Sequence, residues 1–172
     1  MFSNSSVALE TLPHLEDVQF SPLDDNATRE HLLSTFVFLL PFSIGVCLLL
    51  WLLSDVPKDI ALLVTVITVI VNVSVFFFIV AAVKKTGIAL REHDFLLRKG
   101  VFWQKTIIVP FNRVQHIETH RNPFERKLTL ASLKLFTAGG MGADLEINGL
   151  NVERASKIRQ FILQKEQGAS DE

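Results

Sequence analysis

The sequence predicts an α+β membrane protein: a two-helix transmembrane hairpin, then an antiparallel β domain closed by a C-terminal helix. Leu32 to Ser54 and Ile60 to Val83 are runs of 23 and 24 residues without a charge. About 20 apolar residues cross a bilayer core as a helix. Only Asp55-Val56-Pro57-Lys58-Asp59 separates the two runs, so they must reverse sharply. From Thr86 the apolar pattern switches to alternation broken by turn residues, and helical spacing returns near the C-terminal end.

Charge is segregated around the hairpin, although the net charge is only −1. Residues 1–31 hold one Arg and six acids, a balance of −5, while residues 84–172 hold 15 Lys and Arg against 10 Asp and Glu, a balance of +5. Lys84, Lys85, Arg91, Arg98 and Lys99 follow the second run closely, and the turn offers only Lys58 between two aspartates. Basic residues favour the cytoplasmic side, which predicts a cytoplasmic domain and, after two crossings, a cytoplasmic N-terminal tail. The single thiol, Cys47, lies within the first run and makes neither an intramolecular disulfide nor a multi-cysteine metal site. No basic stretch leads directly into an apolar one at the N-terminus, so a cleaved signal peptide is not expected.

Taken in order, residues 1–20 are polar and aperiodic and read as a flexible acidic tail. Ser21-Pro22-Leu23-Asp24 has the chemistry of a helix start, with a Ser cap, Pro in the first turn and an early acid. The hairpin therefore occupies 21–85, with spans at about 32–54 and 60–83. Pro41 is expected to bend the first span and Trp51 to anchor its outer end. Asn72 and Ser74 lie near mid-depth of the second span. Polar groups in lipid need partners, so both are expected to face the first helix. No intramembrane acid or base accompanies them, which favours helix pairing over a solute pathway.

The β domain occupies 86–165. Strands are expected at Thr86–Arg91, Phe95–Lys99, Val101–Val109 and Val114–Arg121, with Gly100 in a tight connection. Strict alternation in the fourth strand would put Val114, His116, Glu118 and His120 on one face. Asn122-Pro123 breaks the pattern, and Pro123–Leu128 suits a short helix. Strands at Ser132–Ala138 and Asp144–Leu150 flank the turn Gly139-Gly140-Met141-Gly142. Asn151 caps a helix, Val152–Gln164, whose apolar stripe is Ala155, Ile158, Phe161 and Ile162. Residues 166–172 read as a flexible tail.

Three blocks in this domain resemble a known family. Asn112-Arg113-Val114-Gln115-His116-Ile117-Glu118 comes first, then Asn122-Pro123-Phe124-Glu125-Arg126, then Leu130-Ala131-Ser132-Leu133-Lys134-Leu135-Phe136-Thr137-Ala138-Gly139-Gly140. Together with the two preceding spans they resemble the bacterial PH-like domain of YdbS-type membrane proteins, over roughly residues 20–165. The resemblance implies a pleckstrin-homology-like fold, a bent antiparallel sheet or partial barrel plugged by its C-terminal helix. The pattern yields six strands where that core has seven, so either a short strand is missed or Val101–Val109 is split. The family usually carries Gly where this chain has Thr129, a residue that disfavours the left-handed turn a glycine permits. The resemblance supplies no activity and no ligand contact, and the fold alone names no partner.

The candidate chemistry is sparse. In His116-x-Glu118-x-His120 the imidazoles share a strand face about 13 Å apart, at ~3.3 Å per residue, too far for one ion held by bonds of about 2 Å. Gly139-Gly140-Met141-Gly142-Ala143-Asp144 matches one calcium nonapeptide, but that architecture needs stacked repeats. No G-x-S-x-G, Walker loop or nucleophile–base pair occurs. The expectation is no enzyme, no metal and no cofactor. Lys84, Lys85, Arg98 and Lys99, with Lys105 nearby, are the candidate membrane-surface contacts, each contributing about 1 kcal/mol beside anionic headgroups. Topology alone accounts for Lys84 and Lys85. Nucleic acid is not expected, since no stacking array interleaves the charges. The chain thus reads as a non-enzymatic, multi-pass protein of the bacterial inner (cytoplasmic) membrane with both termini cytoplasmic. Its cytosolic PH-like module binds a protein partner in the membrane or a lipid. The alternative is a small accessory subunit of a membrane transporter or envelope-stress complex that acts through the hairpin.

Overall fold

The computed structural model describes residues 18–53, 56–137 and 143–170, with side chains as far as residue 165. The two uncharged runs form helices α1, Ala27–Leu52, and α2, Lys58–Lys85. Both are apolar all round. Phe38 is 76% exposed, Phe42 70% and Leu52 80%, a surface suited to lipid rather than water. Hydroxyls in the span bond to their own helix: Thr65, Thr68 and Ser74 each donate to the carbonyl four residues back at 2.8 Å. That satisfies polar groups where no water is available.

Asn72 does face α1. Its Nδ2 donates to Ser43 Oγ at 3.2 Å and to the Thr68 carbonyl at 2.8 Å. Ser74 does not, contrary to expectation: it is exposed, and among the described residues its hydroxyl bonds only to the Ile70 carbonyl. Positions two apart on a helix point in different directions, so both could not meet one neighbour. At the far end Trp51 Nε1 donates to Thr65 Oγ1 at 3.2 Å, and Lys58 Nζ donates to the Trp51 carbonyl at 3.0 Å. Trp51 therefore ties the two helices together.

Ser21-Pro22 is not a helix start. The two residues form strand β1 (Ser21–Pro22), which pairs antiparallel with β2 (Gly87–Leu90) through Ser21↔Ile88 and Pro22↔Gly87. Proline is tolerated there because β1 is an edge strand. Phe20 also packs on this edge, 3.0 Å from where a Cβ on Gly87 would lie. Phe20 is thus held against the sheet, and residues 1–17 of the expected tail lie outside the described residues. The sheet continues through β3 (Asp94–Lys99) and β4 (Lys105–Pro110) in the order β1-β2-β3-β4.

A 3-10 turn, Phe111–Arg113, leads to the second sheet, β5 (Val114–His120), β6 (Leu130–Thr137) and β7 (Leu145–Asn151). The short helix α3, Pro123–Lys127, bridges β5 and β6. Helix α4, Val152–Ser170, runs through most of the stretch expected to be tail. Seven strands are present among the described residues, and the additional one comes from ahead of the hairpin rather than from a split of Val101–Val109. That expected strand instead starts at Lys105. Gly100, at φ +120, turns the chain so tightly that a Cβ there would collide with the Trp103 carbonyl.

The core joins both sheets and α4: Phe95, Leu97 and Val109, then Ile117, Leu133 and Leu135, then Ala155, Ile158 and Ile162. Strict alternation fails in β5. Val114 and Ile117 are both buried because a bulge between Val114 and His116 shifts the register. Phe161 sits at the rim, half-buried and edge-on to Phe111 at 5.9 Å. Thr129 takes the left-handed conformation (φ 58) despite its branched side chain, and its carbonyl accepts from the Val152 N–H at 3.2 Å where α4 begins. The turn Gly139–Gly142 lies outside the described residues. Just beyond it, Asp144 Oδ2 accepts from the Thr137 hydroxyl at 2.7 Å and N–H at 2.8 Å. These bonds hold the Asp144 carboxylate below its usual range.

Candidate functional site

The informative surface is where the hairpin meets the β domain. The chain enters α1 from β1 and leaves α2 into β2, and these two strands pair. One sheet edge is thus fastened at the level where the helices end. β3 returns antiparallel to β2, placing Arg98 opposite Gly87, two residues past Lys85. Lys99 and the connection 100–104 must therefore overshoot the start of β2 and run back alongside α2. They do so: the Phe102 ring stacks on Phe78 at 6.2 Å, with 22° between planes. Phe78 lies seven residues before Lys85, about 10 Å into the span at ~1.5 Å per residue. Lys85 Nζ donates to the Val101 carbonyl at 3.1 Å. Phe102 and Trp103 are 77% and 87% exposed, an aromatic tip beside an apolar helix.

A second fastening lies on the α1 side. Gly149 of β7, at φ +81, packs directly on the buried Ala27; a Cβ there would lie 2.5 Å from the Ala27 Cβ. The Asp24 N–H donates to the Gly149 carbonyl at 3.2 Å, and Arg154 Nη1 to the Pro22 carbonyl at 2.7 Å. Glu30, 3% exposed, accepts from Asn122 Nδ2 at 2.8 Å. Asn122 also caps α3: its side chain accepts from the Glu125 N–H, and Glu125 Oε2 accepts from the Asn122 N–H, both at 2.7 Å. Ser132 donates to the other oxygen of the buried Glu125. The Asn-Pro-x-Glu block therefore joins the domain to the first membrane helix.

Between the fastenings lies a crevice of about 510 Å³. Phe78, Ala82 and Val83 of α2 and Leu97 of β3 make its apolar wall, and the exposed Trp103, Lys99 and Lys105 also line it. Lys99 and Lys105 are directly paired across the β3–β4 hairpin. Alternation puts them on the same face as Leu97 and Ile107, the core side. Glu146 also borders the crevice and pairs with Lys134 at 3.3 Å. His31 borders it too, with Nδ1 3.7 Å from Glu30.

The four basic residues singled out in the sequence divide. Lys84 and Lys85 are exposed at the end of α2, and Lys99 lines the crevice. Arg98 lies on the opposite face of β3, with its guanidinium 3.8 Å from the Phe20 ring centre. His116 and Glu118 pair at 3.3 Å on an exposed face. Among the described residues no group of three or more His, Cys, Asp or Glu is placed to hold an ion. Sequence reading missed the aromatic tip, because Phe102 and Trp103 sit in a stretch that reads as strand. It also missed the Glu30–Asn122 contact, for which no local signal exists.

Two membrane helices fastened to two antiparallel sheets, with a terminal helix closing the core, define a transmembrane protein with a PH-like domain. Residues 36–166 match the family described as Bacterial PH domain, and the chain belongs to that family. Over 73 residues it is 34% identical to the UPF0699 transmembrane protein YdbS of Bacillus subtilis (strain 168), a stretch that covers 42% of this chain and 44% of that protein. No solved structure matches the chain.

Proposed function

We propose that the protein is a non-enzymatic component of the bacterial inner membrane, both termini cytoplasmic, whose PH-like module lies on the cytoplasmic leaflet and binds lipid there. The observation that carries this is the stack of Phe102 on Phe78 beside an exposed Trp103. An aromatic pair on a loop held along a membrane helix suits the interfacial zone of the bilayer. Lys84, Lys85 and Lys99 supply charge of the sign that anionic headgroups attract, about 1 kcal/mol each. A soluble protein partner would have to reach the aromatic tip past the leaflet, so lipid is favoured over a soluble protein.

The chain contains two tryptophans, so Trp51→Phe leaves Trp103 as the sole reporter. In liposomes made with brominated phosphatidylcholine, Trp103 fluorescence should be strongly quenched and aqueous iodide should have little effect. Quenching by iodide alone would place the tip in water and overturn the proposal.

One observation favours the hairpin reading as a second possibility. Asn72 Oδ1 is buried and, among the described residues, has no hydrogen-bond partner. An orphan acceptor in lipid favours a donor from another membrane helix. If that contact carries the function, Asn72→Leu abolishes it and Trp103→Ala leaves it intact.

A further inference from the structure

We propose that the crevice between α2 and the β domain is a binding site for one anionic phospholipid, with its phosphate between Lys99 and Lys105 and an acyl chain along Phe78, Ala82 and Val83. This rests on the reading that the β3–β4 tip lies in the leaflet. The first observation is the lysine pair. Lys99 and Lys105 are directly opposite across two strands, a register in which like charges repel. Among the described residues neither forms an ion pair, and the one acid at the crevice, Glu146, is taken by Lys134. An anion held between the two ammonium groups turns that repulsion into attraction.

The second observation is where the pair sits. Lys99 lies two residues after the core residue Leu97, and Lys105 two residues before Ile107, which packs against the core, so alternation puts both lysines on the inward face of the sheet. They line an apolar slot rather than an open surface. A free phosphate would use the lysines and leave that wall empty; an amphiphile uses both. The volume, about 510 Å³, falls in the usual range for small-ligand sites of roughly 300–1,000 Å³. It takes a headgroup and the first part of one chain.

The third observation is continuity with the bilayer. The wall residues Phe78, Ala82 and Val83 belong to the last turns of α2, so a lipid enters sideways without leaving the leaflet. Trp103, which also lines the crevice, has an apolar body and one N–H donor, the form that suits the headgroup boundary.

The full chain, carried in micelles with equal phosphatidylglycerol and phosphatidylcholine, is examined by native mass spectrometry for retained lipid. The wild type should keep one phosphatidylglycerol in preference to phosphatidylcholine. K99Q/K105Q should lose that preference roughly 10–30-fold, the effect of removing two cationic contacts. K99R/K105R should keep it, and so should K127Q/K157Q, which removes two exposed lysines outside the crevice. Equal retention by K99Q/K105Q and wild type overturns the site. An equal loss in K127Q/K157Q also overturns it, because the effect is then diffuse surface charge. Displacement by millimolar inorganic phosphate overturns the lipid assignment in favour of a free anion. The Trp103 quenching experiment separates this from the underlying reading. Quenching that persists while the lysine variants bind like wild type sinks the site alone; quenching absent from the wild type sinks both.

Discussion

Gly149→Ala should loosen the domain from its anchor. The backbone there has φ +81, a region that costs an L-residue with a Cβ about 1–2 kcal/mol. The new Cβ would lie 2.5 Å from the Ala27 Cβ, whereas carbons in contact settle at about 3.5–4.0 Å. The start of α1 must then retreat by about 1 Å, and overpacking of this kind costs about 1–3 kcal/mol. It cannot retreat freely, because Asp24 bonds to the Gly149 carbonyl at 3.2 Å. The two effects total about 2–5 kcal/mol, a large fraction of a small domain's stability. Pulse proteolysis of the full chain in micelles across a urea series reads the change. Ala27→Gly in the same chain removes the facing Cβ, and the nearest remaining backbone atom is then the Ala27 Cα at 3.3 Å. The double variant should recover the steric part, about 1–3 kcal/mol, and keep the backbone part. A Gly149→Ala protein as resistant as wild type, or one indifferent to Ala27→Gly, would refute the contact.

Thr129→Gly should stabilise the protein by about 0.5–1 kcal/mol, the left-handed penalty relieved less the extra chain entropy of glycine. Thr129 is exposed, so little else changes, and a lowered urea midpoint would contradict the strain. In α4, Ile162→Ala should cost about 2–5 kcal/mol because that side chain is fully buried. The half-buried Phe161→Ala should cost less, and the exposed Lys157→Ala under about 0.5 kcal/mol. A urea series that ranks Phe161 above Ile162 would mark the rim rather than the buried stripe as the closure of the core.

The two spans, six of the strands, the short α3 and the closing helix are legible in the chain because each is set by local physics. An uncharged run long enough to cross lipid, a period of two, a proline after an asparagine and a stripe at helical spacing need no knowledge of distant residues. The PH-like resemblance rests on blocks of the same local kind. What tertiary structure alone decided has a common cause, which is register. Two residues, Ser21 and Pro22, carry no period and become a strand only because β2 offers an edge. A bulge turns Val114 and Ile117 inward together. Glu30 and Asn122, 92 residues apart, meet only after both sheets are placed. The candidate site depends on register most of all. Arg98 and Lys99 are equivalent in composition, yet pairing Arg98 with Gly87 sends Arg98 to Phe20 and Lys99 to the crevice. A slip of one residue would exchange their faces, and no local pattern in Phe95-Leu96-Leu97-Arg98-Lys99 distinguishes the two alignments. The distinction comes from the end of α2, which fixes where β2 begins and so how far the hairpin tip reaches back along the membrane helix.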